Sequence, residues 1–408
     1  MNCRHCASPL ELTLIDLGAA PPSNAYLTAE TLYAPEKTYP LVVMVCTNCW
    51  LVQTRDFADA GELFSADYAY FSSFSTSWLA HAERYVAAMQ SRFGLDGGSH
   101  VVEVASNDGY LLQYVAARGI PCTGVEPTAS TAAAARAKGI ATVEEFFGTQ
   151  LARRLAAQGQ RADLTAANNV LAHVPDLNDF LAGFALLLKD DGVSTFEFPH
   201  LAKLMAENQF DTIYHEHFSY LSLTAVNTIC AANGLQVFDV EELPTHGGSL
   251  RVFAQRADTG RRPVEPAVAT LLAREDAAGL RSRDYYAGFQ TRAEKVKDDF
   301  LTFLLHAKRN RKKVVGYGAA AKGNTLMNFA GCRRDAMAFV VDRNPAKQGK
   351  YMPGSRLPIL DEDALKAARP DFVVILPWNL RSEVSRQLEY IRAWGGKFVT
   401  AVPELEIS

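Results

Sequence analysis

The sequence lacks the features that mark membrane proteins and nucleic-acid-binding proteins. No apolar run among its 408 residues approaches the ~20 residues that a membrane-spanning helix needs. The first residues, MNCRHC, contain no apolar stretch of the kind found in secretory signals. Basic residues are not in excess, since the formal net charge is -4 and the isoelectric point is about 6.2. We therefore expect a cytoplasmic protein with no membrane partner and no nucleic-acid partner.

Cysteine is also scarce, with seven residues, and this odd number does not suit a disulfide framework. Four of the seven form two Cys-x-x-Cys pairs, Cys3/Cys6 and Cys46/Cys49. Four thiolates in two such knuckles are typical of a tetrahedral Zn(II) site, which leaves no open position for catalysis. A redox role is the alternative, but no βαβ pattern flanks either pair. The sequence therefore predicts a structural zinc site, with the other three cysteines buried as small apolar side chains.

The remaining pattern predicts an α/β protein of three domains. Residues 1–75 are expected to form a zinc ribbon that includes a strand at Tyr39–Val45. Strand-like and helical segments alternate over residues 76–255, as in a doubly wound Rossmann-like domain, and a late antiparallel strand ends this part. Residues 256–408 begin with charged helices and continue as a second Rossmann-like α/β domain.

A loop at residues 105–109, Ala-Ser-Asn-Asp-Gly, joins the first strand of the middle domain directly to a helix. Glu126 ends the next strand, where an acidic residue binds the ribose hydroxyls of a nucleoside. The loop lacks the G-x-G-x-x-G pattern and carries Asp108, which disfavours a pyrophosphate. Acidic Glu103 and Asp108 instead complement the cationic groups of S-adenosylmethionine; the alternative is an ordinary turn with Asx capping. The expected cofactor-binding residues are Glu103, Ser106, Asn107, Asp108, Gly109, Glu126, Pro127, Asn168 and Asn169.

Two further segments carry candidate site residues. Residues 62–78 are rich in aromatic and hydroxyl side chains, and they suit a packing loop and a substrate-facing arm equally well. Residues 214–217, Tyr-His-Glu-His, allow a metal site, an exposed polar turn or general acid–base chemistry. The metal interpretation is weak because histidines two residues apart do not share a helix face. The cluster alone leaves the other two open.

The loop G-Y-G-A-A-A-K-G, residues 316–323, follows a strand and opens a helix, and Asp342 ends the next strand. This is close to a nicotinamide-dinucleotide fingerprint, so a sugar oxidoreductase or epimerase is an alternative function. A helix N-terminus with Lys322 would bind the pyrophosphate of a nucleotide sugar equally well. A non-catalytic zinc scaffold is a third alternative, which the Tyr-His-Glu-His cluster and Glu126 argue against.

A resemblance to a known family becomes specific when the motifs are taken in order. The four cysteines are followed by V-E-V-A-S-N-D-G-Y-L-L, G-V-E-P-T, N-N-V-L-A-H-V-P-D, Y-H-E-H-F-S-Y-L-S, H-G-G-S-L-R-V and G-Y-G-A-A-A-K-G-N-T-L. Over nearly its whole length the chain resembles the S-adenosylmethionine-dependent sugar C-methyltransferases, which act at C-3 of nucleotide-linked 4-keto-deoxy sugars. The resemblance implies a structural zinc domain, a donor-binding middle domain and a C-terminal domain that helps bind the nucleotide sugar.

The same resemblance implies roles for particular residues. His217 would be the general base, Tyr214 and Glu216 would shape the sugar site, and His173 would line it near the 4-keto oxygen. Tyr68 or Tyr70 would close over the donor and the sugar. Thymidine diphosphate is the commonest carrier in this family, with guanosine diphosphate and cytidine diphosphate as alternatives. We expect the protein to be a monomer. The expected contacts of the substrate are Ser72, Ser73, Gly318, Lys322 and Asn324.

Overall fold

A computed structural model describes residues 1–57 and 71–408 of the chain. In these two ranges the backbone forms three β-sheets with helices packed around them. The strands are β1 (Leu12–Ala20), β2 (Tyr39–Val45), β3 (Val52–Thr54), β4 (Val101–Val104), β5 (Cys122–Val125), β6 (Thr142–Val143), β7 (Ala162–Asn168), β8 (Leu188–Pro199), β9 (Ser219–Tyr220), β10 (Leu235–Leu243), β11 (Ser249–Arg256), β12 (Val314–Tyr317), β13 (Val340–Val341), β14 (Ile359–Leu360), β15 (Phe372–Ile375), β16 (Lys397–Thr400) and β17 (Glu406–Ile407).

Both α-helices and short 3-10 helices connect these strands. The α-helices are α1 (Thr76–Phe93), α2 (Leu112–Ala116), α3 (Ala129–Ala137), α4 (Thr149–Ala157), α5 (Leu177–Leu187), α6 (Leu201–Ala206), α7 (Leu223–Ala232), α8 (Pro266–Ala277), α9 (Arg283–Tyr286), α10 (Phe289–Arg309), α11 (Ala321–Phe329), α12 (Glu362–Ala368) and α13 (Arg381–Gln387). The 3-10 helices are Ser72–Phe74, Leu171–His173, Phe210–Thr212, Thr245–Gly247, Trp378–Leu380 and Glu389–Trp394.

The first sheet has the order β1-β2-β3-β9 and is antiparallel throughout. In β2 the buried residues Leu41, Val43 and Val45 alternate with more exposed ones, as expected for a strand with one face on a core. The predicted limits of this strand are confirmed. Strand β9 comes from the middle of the chain, at residues 219–220, so the N-terminal sheet is completed by a segment that follows the Tyr-His-Glu-His cluster.

The second sheet is the doubly wound one, with the order β6-β5-β4-β7-β8-β11-β10. Its first five strands are parallel, and β11 pairs antiparallel with both β8 and β10. The carboxyl ends of β4, β5 and β7 therefore lie at one edge, where such sheets bind their ligands. Helix α2 is short, because the turn at residues 107–109 and Gly119 (φ 70°) limit it.

The third sheet, β14-β13-β12-β15-β16-β17, is parallel except for β17. One buried apolar cluster joins it to the first sheet, since Val43 and Phe300 of α10 pack in the same core as Leu326 and Val374. The predicted α/β class with two Rossmann-like sheets is confirmed, whereas the domain limits of 1–75, 76–255 and 256–408 stay a prediction. None of the helices in the described ranges is long and apolar enough to cross a membrane.

Candidate active site and zinc centre

The two cysteine knuckles have the same backbone geometry. The amide of Ala7 donates to the carbonyl of Cys3 (3.0 Å) and that of Trp50 to the carbonyl of Cys46 (2.9 Å), and both donors have a left-handed φ near 60°. The four sulfur atoms lie within 4.8 Å of one another. Tetrahedral thiolates at Zn–S distances of about 2.3 Å are separated by about 3.8 Å, so the cluster fits zinc. Gln53 Nε2 also donates to Cys3 Sγ (3.2 Å) and orients this ligand.

The predicted cofactor loop bends sharply at the carboxyl end of β4. Ala105, Asn107 and Gly109 all have positive φ values, of 56°, 50° and 75°. The carboxylate of Glu126, at the end of β5, accepts from the backbone amides of Asn107 and Thr128 at 2.9 Å each. The first bond joins the first two loops of the sheet, and the second fixes the turn after β5, at the edge where Rossmann-like sheets bind nucleosides.

Several buried polar atoms at this edge have no hydrogen-bond partner within the described ranges. They are Ser106 Oγ, Asp108 Oδ1, Asn168 Oδ1 and Asn169 Oδ1. A buried hydrogen-bond acceptor without a partner indicates a place where a hydrogen-bond donor of a ligand can bind. S-adenosylmethionine has such donors in its ammonium and hydroxyl groups. Burial raises the pKa of Glu103 well above its usual range, and the hydroxyl of Tyr110 offsets part of this effect. A bound cation would favour the charged form of Glu103, so the predicted residues fit the donor.

The serines of the predicted arm contact the cofactor loop. Ser72, which is buried, donates its backbone amide to Asn107 Oδ1 (2.9 Å). Ser73 Oγ accepts from Lys138 Nζ (2.8 Å), and this lysine also binds the carbonyl and carboxylate of Asp108. Their predicted contact with the substrate stays a prediction. Tyr68 and Tyr70 lie outside the described residues.

The hydrogen bonds of His217 define its tautomer. Its Nδ1 lies 2.8 Å from the carbonyl of Thr212, which can only accept, so Nδ1 carries the hydrogen. Nε2 therefore has a lone pair, and it accepts from the hydroxyl of Tyr214 at 2.6 Å. Burial is the main cause that lowers the pKa of His217 well below its usual range, and nearby His173 and Lys322 add to the effect. His217 is thus a neutral base with its lone pair oriented by a phenol.

His173 has the same tautomer by the same argument. Its Nδ1 lies 2.7 Å from the carbonyl of Glu216, and its ring centroid is 4.6 Å from that of His217. Burial lowers the pKa of His173 to about 4, so the ring is neutral near pH 7. A neutral ring with hydrogen on Nδ1 cannot donate from Nε2. The structure places His173 beside His217, and its position near a 4-keto oxygen stays a prediction.

The other two residues of the Tyr-His-Glu-His cluster, Glu216 and His215, contact different parts of the chain. Glu216 Oε1 accepts from the backbone and side-chain amides of Asn24 (3.3 and 3.1 Å), and burial raises the pKa of this carboxyl. His215 Nε2 lies 3.1 Å from the carbonyl of Tyr39 in β2, so this histidine binds the N-terminal sheet.

The N-terminal sheet also holds the cluster through its backbone. Thr54 Oγ1 donates to the carbonyl of His217 (3.2 Å), and the amide of Thr54 donates to the carbonyl of Phe218 (3.0 Å). Strand pairing of β3 with β9 continues this contact for two more residues. The zinc-bound part of the chain therefore positions the residue predicted as the base.

The C-terminal domain brings Lys322 to the same region. Its ammonium donates to Asn379 Oδ1 (2.8 Å) and lies 4.8 Å from the ring centroid of Trp378. The indole of Trp378 donates to Asp211 Oδ2 (2.8 Å). Burial raises the pKa of Asp211 to about 6, although Lys322 opposes this effect. Lys322 is half-buried, and its charge lowers the pKa of His217.

The other two predicted substrate residues of this domain have structural contacts. Asn324 is fully buried and donates to the carbonyl of Ser23 (2.5 Å), which links α11 to the N-terminal segment. Gly318 has a φ of 89°, and a Cβ there would lie 2.5 Å from Pro377, so this position requires glycine. Whether either residue contacts substrate stays a prediction.

Sequence reasoning missed a network around Glu197. Its buried carboxylate accepts from His81 Nε2 (2.9 Å), Arg251 Nη2 (2.8 Å) and Thr245 Oγ1 (3.1 Å). Next to Thr245, His246 has a left-handed φ of 54°, and its Nε2 lies 3.1 Å from Asn169 Nδ2. The H-G-G-S-L-R-V motif could have indicated this region, because two consecutive glycines after a histidine are typical of a backbone in a conformation that other residues rarely adopt.

Comparison with known proteins matches the whole chain in three consecutive parts. Family models describe a zinc-binding domain over residues 3–64, a methyltransferase domain over 78–240 and a C-methyltransferase C-terminal domain over 244–403. The C-methyltransferase NovU of Streptomyces niveus is 34% identical over 403 residues, which cover 99% of this chain and 96% of NovU.

Solved structures show weaker similarity. Magnesium protoporphyrin IX methyltransferase of Synechocystis with bound S-adenosylmethionine is 17% identical, with a TM-score of 0.33 and coverage of 44% of this chain and 79% of that one. The PH0226 protein of Pyrococcus horikoshii is 14% identical, with a TM-score of 0.39 and coverage of 49% and 100%. The end-to-end match with NovU decides the family: the chain belongs to the S-adenosylmethionine-dependent C-methyltransferases with an N-terminal zinc-binding domain.

Proposed function

We propose that this enzyme methylates C-3 of a 4-keto-deoxyhexose linked to a nucleoside diphosphate, with thymidine diphosphate as the carrier. The observation that carries the proposal is the bond between Tyr214 and the unprotonated Nε2 of His217. A base of this kind suits a C–H bond next to a ketone, because the resulting carbanion delocalises onto oxygen. S-adenosylmethionine, when bound, supplies the methyl group.

Nε2 of His217 has one lone pair, so Tyr214 must release it before His217 can act as a base. His217 Nε2 then takes the C-3 proton, and the carbonyl of Thr212 stabilises the resulting imidazolium through the hydrogen on Nδ1. The phenol of Tyr214, released from Nε2, donates to the developing enolate oxygen, where a positioned donor lowers the barrier.

Lys322 supports a nucleotide-linked substrate. It is the second residue of α11, whose N-terminus favours anions. Its side chain is half-buried, and its charge acts on His217. In this proposal Lys322 binds a phosphate oxygen of the carrier. The nicotinamide alternative loses support because the chain matches a C-methyltransferase over almost its whole length.

The test is mass spectrometry of the products formed from a panel of 4-keto nucleotide sugars with S-adenosylmethionine. We expect a gain of one methyl group on the sugar, located at C-3 by fragmentation or NMR. Calorimetry should show binding of S-adenosylhomocysteine and none of NAD(H). Methylation of a substrate without a nucleotide, at the same kcat/KM, would refute the proposal.

A further inference from the structure

A cleft of about 630 Å³ lies between the N-terminal segment and the far side of the C-terminal domain. Tyr33 and Glu36 line one wall, and Arg333, Ser355 and Arg356 line the other. Its volume is in the range of small-molecule sites. The cleft is separate from the catalytic region, because Asn328, which lines it, is six residues beyond Lys322 in α11, or about 9 Å along the helix axis.

The charge in this cleft is positive and only partly compensated. Glu36 is engaged by Arg356 Nε (3.0 Å) and by the amide of Gly354 (2.8 Å). Arg333 donates to the carbonyl of Cys332, and Arg334 makes no hydrogen bond within the described ranges. Neither guanidinium has a carboxylate partner among these residues, since the adjacent Asp335 is bound to Lys308. Two arginines therefore remain available to an anion.

Ser355 lines the cleft and carries a buried hydroxyl. The residue is 2% exposed, and its Oγ has no hydrogen-bond partner in the described part of the chain. The turn around it is tightly fixed, because a Cβ at Gly354 would lie 2.1 Å from Asn328 Oδ1. A buried hydroxyl without a partner is rare in folded proteins, and this one belongs to a residue in the wall of the cleft.

Tyr33 adds an aromatic surface. Its side chain is 88% exposed on the rim of the same cleft. Guanidinium groups pair with phosphate oxygens, a hydroxyl donates to a third oxygen, and an open ring face stacks on a planar base. We propose that the cleft binds the phosphate group of a nucleotide, with Arg333, Arg334 and Ser355 on the phosphate and Tyr33 on the base.

The test is calorimetry on the full-length, zinc-loaded protein with thymidine monophosphate and, separately, with inorganic phosphate. It uses a Lys322→Met background, so that a nucleotide bound in the catalytic region does not dominate the heat. We expect the double variant Arg333→Gln/Arg334→Gln to weaken binding of both probes at least tenfold. Arg309→Gln/Arg311→Gln, an exposed pair at the end of α10, is the matched control and should change neither.

The Tyr33→Ala variant distinguishes a nucleotide from free phosphate as the ligand of the cleft. It should weaken binding of the nucleotide but not of phosphate; equal loss or no loss would remove Tyr33 from the site. Equal binding in the Arg333/Arg334 variant and its control, or no binding of either probe at millimolar concentration, would overturn the proposal. The methylation rate should be unchanged in the arginine variants, and a failure to methylate nucleotide sugars would leave this test unaffected.

Discussion

The hydroxyl of Thr54 donates to the carbonyl of His217, and the neighbouring residue Gln53 donates to the zinc ligand Cys3. A sheet that ends in a zinc centre is thereby bonded to the backbone of the predicted base. Thr54→Val keeps the shape of the side chain and removes this donor. We expect stability to fall by about 1 kcal/mol and kcat to fall by up to about 100-fold, because small displacements of a base are costly.

Steady-state kinetics and chemical unfolding measure these two effects of Thr54→Val. The control is Thr13→Val, an exposed threonine of the same sheet whose hydroxyl lies 3.5 Å from Met44 Sδ. Loss of activity in both variants would show a general effect on the sheet rather than a specific effect on His217.

The two histidines of the Tyr-His-Glu-His cluster give a matched pair of variants. His217→Gln removes the lone pair at Nε2, and we expect kcat to fall roughly 100- to 10,000-fold. His215→Gln changes a side chain bonded to Tyr39 and should leave kcat within a few fold. Exchange of the C-3 hydrogen with deuterated solvent, followed by NMR, measures proton removal directly. Exchange at the native rate in His217→Gln would remove this residue from the mechanism.

Removal of zinc should disable methyl transfer before it abolishes donor binding. The four cysteines hold the start of the N-terminal sheet, and β3 of that sheet pairs with β9 next to His217. Metal analysis should find about one zinc per chain. After chelation we expect kcat to collapse while calorimetry still detects S-adenosylhomocysteine. A metal-free protein with full activity would contradict a positioning role for the zinc centre.

The histidines of the site make stability depend on pH. Burial lowers the pKa of His246 from an ordinary value of 6.5 to about 4. Between these values the unfolded chain binds a proton that the folded chain does not, so stability falls as pH falls, by up to about 1.4 kcal/mol per pH unit. His246→Gln should flatten the curve of unfolding free energy between pH 6.5 and 4. Buried Glu216, whose pKa is raised, acts in the opposite direction in both proteins and cancels in the comparison.

Lys322 should affect both substrate binding and the acid limb of the pH profile. Its charge lowers the pKa of His217. In Lys322→Met this pKa rises, so the fall of kcat/KM at low pH should begin at a higher pH than in the native enzyme. KM for the nucleotide sugar should also rise. Lys312→Met, which removes an exposed lysine paired with Asp371, is the control and should shift neither quantity.

Much of this architecture could be predicted from local sequence. Strand β2 and the Cys-x-x-Cys knuckles depend on short-range patterns, and the structure has them where the sequence indicates. The pairing of β9 with β3 could not be predicted, because a two-residue strand carries no periodicity and its partner is more than 160 residues away. The tautomers of His173 and His217 depend on carbonyl groups whose positions the sequence does not specify. Glu197 was missed because its three partners come from two segments, α1 and residues 245–251, that are both far from it in sequence.

Three of the contacts that join the parts of the enzyme share one chemical property. Asn324 binds the carbonyl of Ser23, Thr325 that of Ile213 (2.7 Å) and Tyr26 that of Ala319 (2.6 Å). In each case a side chain recognises a main-chain oxygen, which every residue type provides. A substitution at a receiving position therefore keeps the acceptor, whereas a substitution of Asn324, Thr325 or Tyr26 removes the bond. The identity of these three donors, and not that of their partners, fixes how the parts of the enzyme are joined at these points.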